Sequence, residues 1–386
     1  MDPTPTPAPT PPMGWMSWPC LGAEPSEGRV RAVAAHFAES GLRDAGYRQL
    51  VIEGDWQAQQ RAADGRLQAD PRLFPHGLGE LAAHLHEHGF GLGLSASAGE
   101  RTCGGRPGSF GHEAADAAAF AAWGVDLLSY DYCHGPDDLG EAMARYTAMG
   151  AALRACGRPI TYAICDWGLR APWLWARRAG AQMWRTAHDL LPVWDSPRNA
   201  RAGVGVLMAL ERISGLERHA GPGGWNDPHV LLLGVEQGGA RLSVNECRAQ
   251  FGMWCLLAAP LMLACDPRHL VGELLDLAGN AEAIAIDQDP LGRPATCLAR
   301  SGALSIWSRP LAGDLVAVGV LNSGDQPAEV VVDLAQLGFA PLQPVHMRDV
   351  WTRRTREDAL VRVPVAVGPR DLRLFTMQQS GSPGAR

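Results

Sequence analysis

The chain is expected to fold as a (β/α)8 barrel followed by an antiparallel β-sandwich. From Pro12 to about Pro290, short apolar runs of strand length alternate with longer segments of helical periodicity. That is the pattern of a parallel sheet covered by helices. Eight such runs fall within that length, the strand count of a closed barrel. Beyond Pro290 the helical periodicity gives way to short β-branched runs separated by turn residues. An open doubly wound sheet would also alternate strand and helix, but no GxGxxG follows the first run, which favours the barrel.

Composition agrees with a large core and narrows the function. The 386 residues are 46% hydrophobic and 19% charged, enough for one barrel-sized domain and a smaller one. A net charge of −7 with no basic face argues against nucleic acid. All 34 basic residues are arginine, so neither Schiff-base chemistry nor a P-loop lysine is available. No window reaches the roughly 18 consecutive apolar residues of a membrane span. Residues 1–11 alternate Pro and Thr without a charged n-region or apolar h-region, and read as an extended tail, not a signal peptide. Nine cysteines form no metal-type CxxC pair, and Cys156, Cys247, Cys255 and Cys265 lie in apolar runs as buried thiols. The expected organisation is tail 1–11, barrel 12–292, β domain 293–378 and a disordered tail 379–386.

The elements follow in order. A first strand-like piece, Pro12 to Trp18, leads to a helix from about Glu27 to Ala45 that Gly46 closes. Strand two and its exit run from Leu50 to Trp56. A helix over Leu78–His88 precedes strand three, Gly91–Ser95. An alanine-rich helix, His112–Trp123, feeds strand four, which starts at Val125 and ends on Asp131. A helix over Leu139–Ala155 precedes strand five, Ile160–Asp166. Strands six to eight fall near Met183–Arg185, Trp225–Leu233 and Ala259–Leu263. In the last domain, runs at Ala303–Trp307, Leu315–Leu321, Glu329–Val332 and Leu360–Val363 read as strands.

Barrels carry their chemistry at the C-terminal ends of the strands. Seven of the eight runs end in polar or aromatic residues: Trp18, Glu53 with Asp55, Ser95, Asp131, Asp166, Arg185 followed by Asp189, and Asp227 with His229. Any one of these alone reads as a structural carboxylate. Together they suit a sugar site, where carboxylates act as nucleophile and acid/base and an aromatic face stacks on the ring. No metal cluster is visible. His36, His76, His84, His86 and His88 lie on helices or loops, and the His84/His88 pair lacks the glutamate of HExxH. No GxSxG elbow supports a serine hydrolase.

Six motifs in series point further. They are Pro12-Met13-Gly14-Trp15, Asp70-Pro71-Arg72-Leu73-Phe74-Pro75-His76-Gly77, Thr102-Cys103-Gly104-Gly105-Arg106-Pro107-Gly108-Ser109, Trp123-Gly124-Val125-Asp126, Gly221-Pro222-Gly223-Gly224-Trp225-Asn226-Asp227-Pro228 and Ala285-Ile286-Asp287-Gln288-Asp289-Pro290-Leu291-Gly292. With them the chain resembles glycoside hydrolase family 27, the α-galactosidase and α-N-acetylgalactosaminidase family, over nearly its whole length. The resemblance implies a retaining hydrolase of terminal α-galactoside-like residues, with Asp131 as nucleophile and Asp189 as acid/base. It implies that Arg185 contacts the 2-hydroxyl region, that Trp18 lies under the ring, and that a Cys103–Cys133 disulfide flanks the subsite. It implies no cofactor and a carbohydrate substrate; neither nucleic acid nor a membrane is expected as a partner, and a homodimer is compatible with it.

The sugar-reading residues depart from the family pattern. Its aspartate pair reads Glu53-Gly54, with Asp55 where a cysteine is usual. The lysine before the nucleophile reads Ser129, the glutamate after strand five reads Asp166, and its "DPDM" segment reads Asp227-Pro228-His229-Val230. Glu53 would crowd the 6-position, as suits a β-L-arabinopyranosidase. Loss of the lysine and second aspartate would suit another sugar, as in an isomalto-dextranase. Restoring Asp at 54 and Lys at 129 is expected to raise activity on an α-galactoside. A non-catalytic carbohydrate-binding barrel is disfavoured because both Asp131 and Asp189 are kept. A disulfide suggests an oxidising compartment, so the localisation stays open between the cytoplasm and secretion with a leader removed.

Overall fold

Short strands that are apolar on both faces must be covered on both, and a ring of parallel strands inside a ring of helices does this. In the computed structural model, which describes residues 8–197, 203–341, 343–358 and 361–380, eight parallel strands do so. They are β1 (Met13–Met16), β2 (Gln49–Ile52), β3 (Gly91–Ser97), β4 (Leu127–Asp131), β5 (Thr161–Cys165), β6 (Met183–Arg185), β7 (Trp225–Asp227) and β8 (Leu261–Leu263). The order is β7-β6-β5-β4-β3-β2-β1-β8. The ring closes through Leu231, just beyond β7, whose N–H donates to the Met262 carbonyl at 2.8 Å.

Several boundaries differ from those expected. The first helix breaks into Glu27–Glu39 and Leu42–Ala45, because Gly41 between them is left-handed at φ 81°. The seventh strand stops at Asp227 instead of running to Leu233, because His229 also turns left-handed, at φ 83°. The described end of the N-terminal tail packs on the barrel: the Ala8 carbonyl accepts from Trp225 Nε1 at 2.9 Å.

Among the described residues the C-terminal domain has eight strands, of which sequence patterning located four. They are β9 (Thr296–Ser301), β10 (Leu304–Pro310), β11 (Val316–Asn322), β12 (Ala328–Asp333), β13 (Val345–Asp349), β14 (Thr355–Asp358), β15 (Arg362–Val367) and β16 (Asp371–Gln379). Six form one sheet, β14-β13-β16-β11-β10-β9, and β12 pairs with β15. The missed strands β9, β13, β14 and β16 carry charged or polar residues that dilute the apolar signal. Gln379 pairs with Val345, so β16 runs one residue past the expected domain end, and residues 381–386 of the expected tail lie outside the described residues.

One face of the larger sheet closes on the smaller sheet around Val318, Val320, Phe375 and Met377. Its other face closes on the barrel helix Val244–Leu256, which starts in a capping box between Ser243 and Glu246. There Arg248 grips Asp371 with two bonds of 2.9 Å. The buried Arg309 donates to the carbonyls of Cys255 and Asp287. The sandwich is thereby hydrogen-bonded to the barrel wall.

One residue shows how tightly the first strands are drawn together. Gly14 faces Gln49 across β1 and β2, and a Cβ built on Gly14 would lie 1.9 Å from the Gln49 carbonyl oxygen. Backbone on backbone cannot yield by rotating a side chain. Gly14→Ala is therefore expected to destabilise the protein by about 1–3 kcal/mol, read as a lower thermal midpoint. An unchanged midpoint would mean that β1 and β2 can part without cost.

Candidate active site

The strand ends bring most of the expected residues to one cavity. It has a volume of about 490 Å³ and is walled by Trp18, Glu53, Gly54, Asp55, Ser95 and Asp131, and further round by Arg185, Asp189 and His229. Cys103 and Cys133 are bonded, which ties the loop after β3 to the residues following β4. That loop places Gly104 directly on Asp55, where a Cβ would come within 1.9 Å of the carboxylate. Asp55 in turn faces Arg106 at 3.5 Å. Ser17 Oγ accepts from Glu53 N–H at 2.8 Å and so couples the ends of β1 and β2.

Arg185 is the buried cation of the site. Its Nη2 donates to Asp189 Oδ1 and to the Ala187 carbonyl, both at 3.0 Å, and its Nη1 reaches Cys165 Sγ at 3.6 Å. The carboxylates around it are pushed in different directions. Burial, with Asp131 and Asp189 nearby, raises Glu53 to about 8, so it is neutral at pH 7. Burial also raises Asp131 to about 7, against the pull of the Cys165 thiol and Arg185. Asp189 feels burial too, but Arg185 and His229 outweigh it and hold the carboxyl below its usual range. Asp189 is thus charged near neutrality, while Asp131 still titrates there.

Three expected residues lie outside the cavity. Asp166 follows the β5 residue that points inward, so alternation along the strand turns it away. It is fully buried and accepts from Arg170 Nη1 at 2.6 Å and Arg170 N–H at 2.7 Å, pinning the loop after β5. The inward residue is Cys165, the register partner of Asp131, which sequence reading passed over and strand parity would have indicated. Ser129 and Asp227 sit one layer lower, around an internal void of about 10 Å³ shared with Met16, Met183 and Met262. Trp167, Leu190, Leu191 and Gln237 complete the rim and carried no motif.

These positions count against the expected effect of restoring the family's residues. Gly54 is left-handed at φ 89°, and a Cβ there would lie 2.9 Å from the Gly22 carbonyl and 3.0 Å from the Trp18 ring. The methionine-packed floor leaves no space for a lysine at position 129. Gly54→Asp with Ser129→Lys would displace Trp18 and the floor instead of rebuilding a sugar contact.

A (β/α)8 barrel with a sandwich behind it, and a strand-end cavity ringed by carboxylates around one buried arginine, defines a glycoside hydrolase. Comparison with known proteins narrows this class. The family model described as alpha galactosidase A matches residues 10–289, and that of the alpha galactosidase C-terminal beta sandwich domain matches residues 301–377. The chain belongs to this family, glycoside hydrolase family 27. It is 37% identical to alpha-galactosidase 3 of Arabidopsis thaliana over 89% of this chain and 76% of that protein. It is 36% identical to alpha-galactosidase A of Cellvibrio japonicus, covering 92% and 90% of the two chains. The crystal structure of alpha-galactosidase I from Mortierella vinacea superposes with a TM-score of 0.91 at 30% identity, covering 97% of this chain and 98% of that one.

Proposed function

We propose that the enzyme cleaves terminal α-galactoside-like residues with retention, using Asp131 as nucleophile and Asp189 as acid/base. The observation that carries this reading is the pair of carboxylates in one cavity, both acted on by Arg185, with the pKa of Asp131 raised and that of Asp189 lowered. In the first step Asp131 bonds to the anomeric carbon while the Asp189 proton goes to the departing glycosidic oxygen. In the second, Asp189 takes a proton from water, whose oxygen replaces Asp131 at that carbon. Trp18, half exposed beside Gly54, offers its ring face to the sugar. The neutral Glu53 offers a hydroxyl donor.

When the pair carries a single proton it rests on Asp131, whereas the first step needs it on Asp189. Both arrangements contain one proton between the two groups, so both exist in the same pH window. That window opens at the lowered pKa of Asp189 and closes near 7, where Asp131 loses its proton. The free-enzyme profile of kcat/KM is therefore expected to fall as pH rises through about 7. A profile flat to pH 9 would contradict the assignment.

Asp131→Asn is expected to abolish turnover and also to stabilise the fold. A carboxyl whose folded pKa is raised destabilises the native state as pH climbs from the usual carboxylate range to the folded value of about 7. The variant should melt above the parent at pH 8, and the two should converge near pH 4. Substantial residual activity would refute the nucleophile, and equal midpoints at pH 8 would refute the buried charge.

The sugar is read from initial rates on aryl α-galactoside, α-N-acetylgalactosaminide, α-glucoside and β-L-arabinopyranoside. Preference for the galactoside is the expected result. The longer, neutral Glu53 favours one second reading, a pyranose without the hydroxymethyl group, for which the arabinopyranoside would lead. No turnover of any of them by folded enzyme would refute both.

A further inference from the structure

We propose that His229 is a positioning residue that holds Asp189 as an ionised base, tuning the site for the second step of hydrolysis at the expense of the first. The inference rests on the reading of Asp189 as acid/base given above.

His229 is fixed by three hydrogen bonds. Its backbone N–H donates to Asp227 Oδ1 at 2.7 Å, and its carbonyl accepts from Trp254 Nε1 at 2.8 Å. Its ring Nδ1 lies 2.9 Å from the Leu190 backbone N–H. A backbone N–H can only donate, so Nδ1 must be the unprotonated nitrogen and the ring proton sits on Nε2. Nε2 stands 3.8 Å from Asp189 Oδ1. The neutral imidazole therefore turns its N–H edge toward the acid/base carboxylate from beyond hydrogen-bond distance, in a tautomer set by the residue that follows Asp189 in the chain.

The backbone supports a functional reason for this placement. At φ 83°, His229 occupies a left-handed region that is strained for a non-glycine residue. The strain turns the chain out of β7 and aims the ring into the cavity. The ring cannot become a competing proton donor of its own, because burial and Arg185 push it down to about 3.

Among the described residues, these charged or titratable groups surround Asp189. Arg185 and His188 flank it on its own segment. Asp227 and His229 face it from the end of β7, and Asp131, Cys165 and Glu53 from β4, β5 and the β2 exit. Arg185 also anchors Asp131 through Cys165, so its removal would disturb both catalytic groups. His229 bonds to neither, and its ring is replaceable. A carboxylate at this position would face Asp189 with like charge and favour its protonated form, helping the leaving group depart and hindering attack by water.

The test compares His229→Asp with His229→Asn. Asn and Asp tolerate a left-handed backbone better than other side chains, and the two differ in charge but scarcely in shape. Both are assayed on the aryl glycoside that the wild type turns over fastest. The acid limb of kcat/KM in the Asp variant should lie about one pH unit above that of the Asn variant. The Asp variant should also release a pre-steady-state burst of aryl alcohol as glycosyl-enzyme accumulates, with none from the Asn variant or the wild type. Coincident limbs with no burst would overturn the proposal. Azide added to Asp189→Ala separates it from the reading beneath. Rescue with formation of a glycosyl azide upholds the acid/base assignment, so that coincident His229 profiles then refute His229 alone. Absence of rescue overturns both.

Discussion

The site depends on a buried guanidinium. Arg185 is 4% exposed, and no water shell can stabilise its charge. It survives burial because carboxylates gather round it: Asp189 bonds to it directly, and Asp227 and Asp131 lie within its field. The dependence is mutual. Four acidic residues at the ends of β2, β4, β6 and β7 would repel one another in a space of low dielectric were the cation absent. Arg185 spreads its influence unevenly, favouring Asp189 by direct contact and reaching Asp131 through its field and through the Cys165 thiol. That asymmetry separates two chemically identical side chains into groups of opposite protonation.

The rest of the fold keeps this arrangement in register. The close approach of β1 and β2 at Gly14, continued by Ser17 on Glu53, sets where the Trp18 ring stands relative to the carboxylates. The Cys103–Cys133 bond brings a loop wall up to Asp55. The sandwich lies away from the cavity and acts through the helix Val244–Leu256, whose Trp254 indole holds the His229 carbonyl. Interdomain contacts made by Arg248 and Arg309 stiffen the same helix. Domain packing and the orientation of a cavity residue thus share one element.

The sequence by itself determined the class of fold and which carboxylates stand at the strand ends. Alternation of apolar strands and amphipathic helices is a local property repeated along the chain, and barrel strands put Asp131, Arg185 and Glu53 at ends that patterning can find. Four sandwich strands were legible for the same reason. The other four were not, since charged and polar residues in β9, β13, β14 and β16 dilute the alternation that patterning reads.

Only the tertiary structure decided which polar residues share the cavity, and with what charge. Whether Asp166 or Cys165 faces inward turns on one residue of strand parity, and a shift of one residue exchanges the faces. Whether Ser129 reaches a sugar depends on its depth in the barrel, where methionines from β1, β6 and β8 close the floor. Gly54 looked replaceable until its left-handed backbone and the Trp18 ring were in view. The protonation order of Asp131 and Asp189 has no local signature, because it is set by burial and by distances to Arg185 and His229, groups brought together only by closure of the ring.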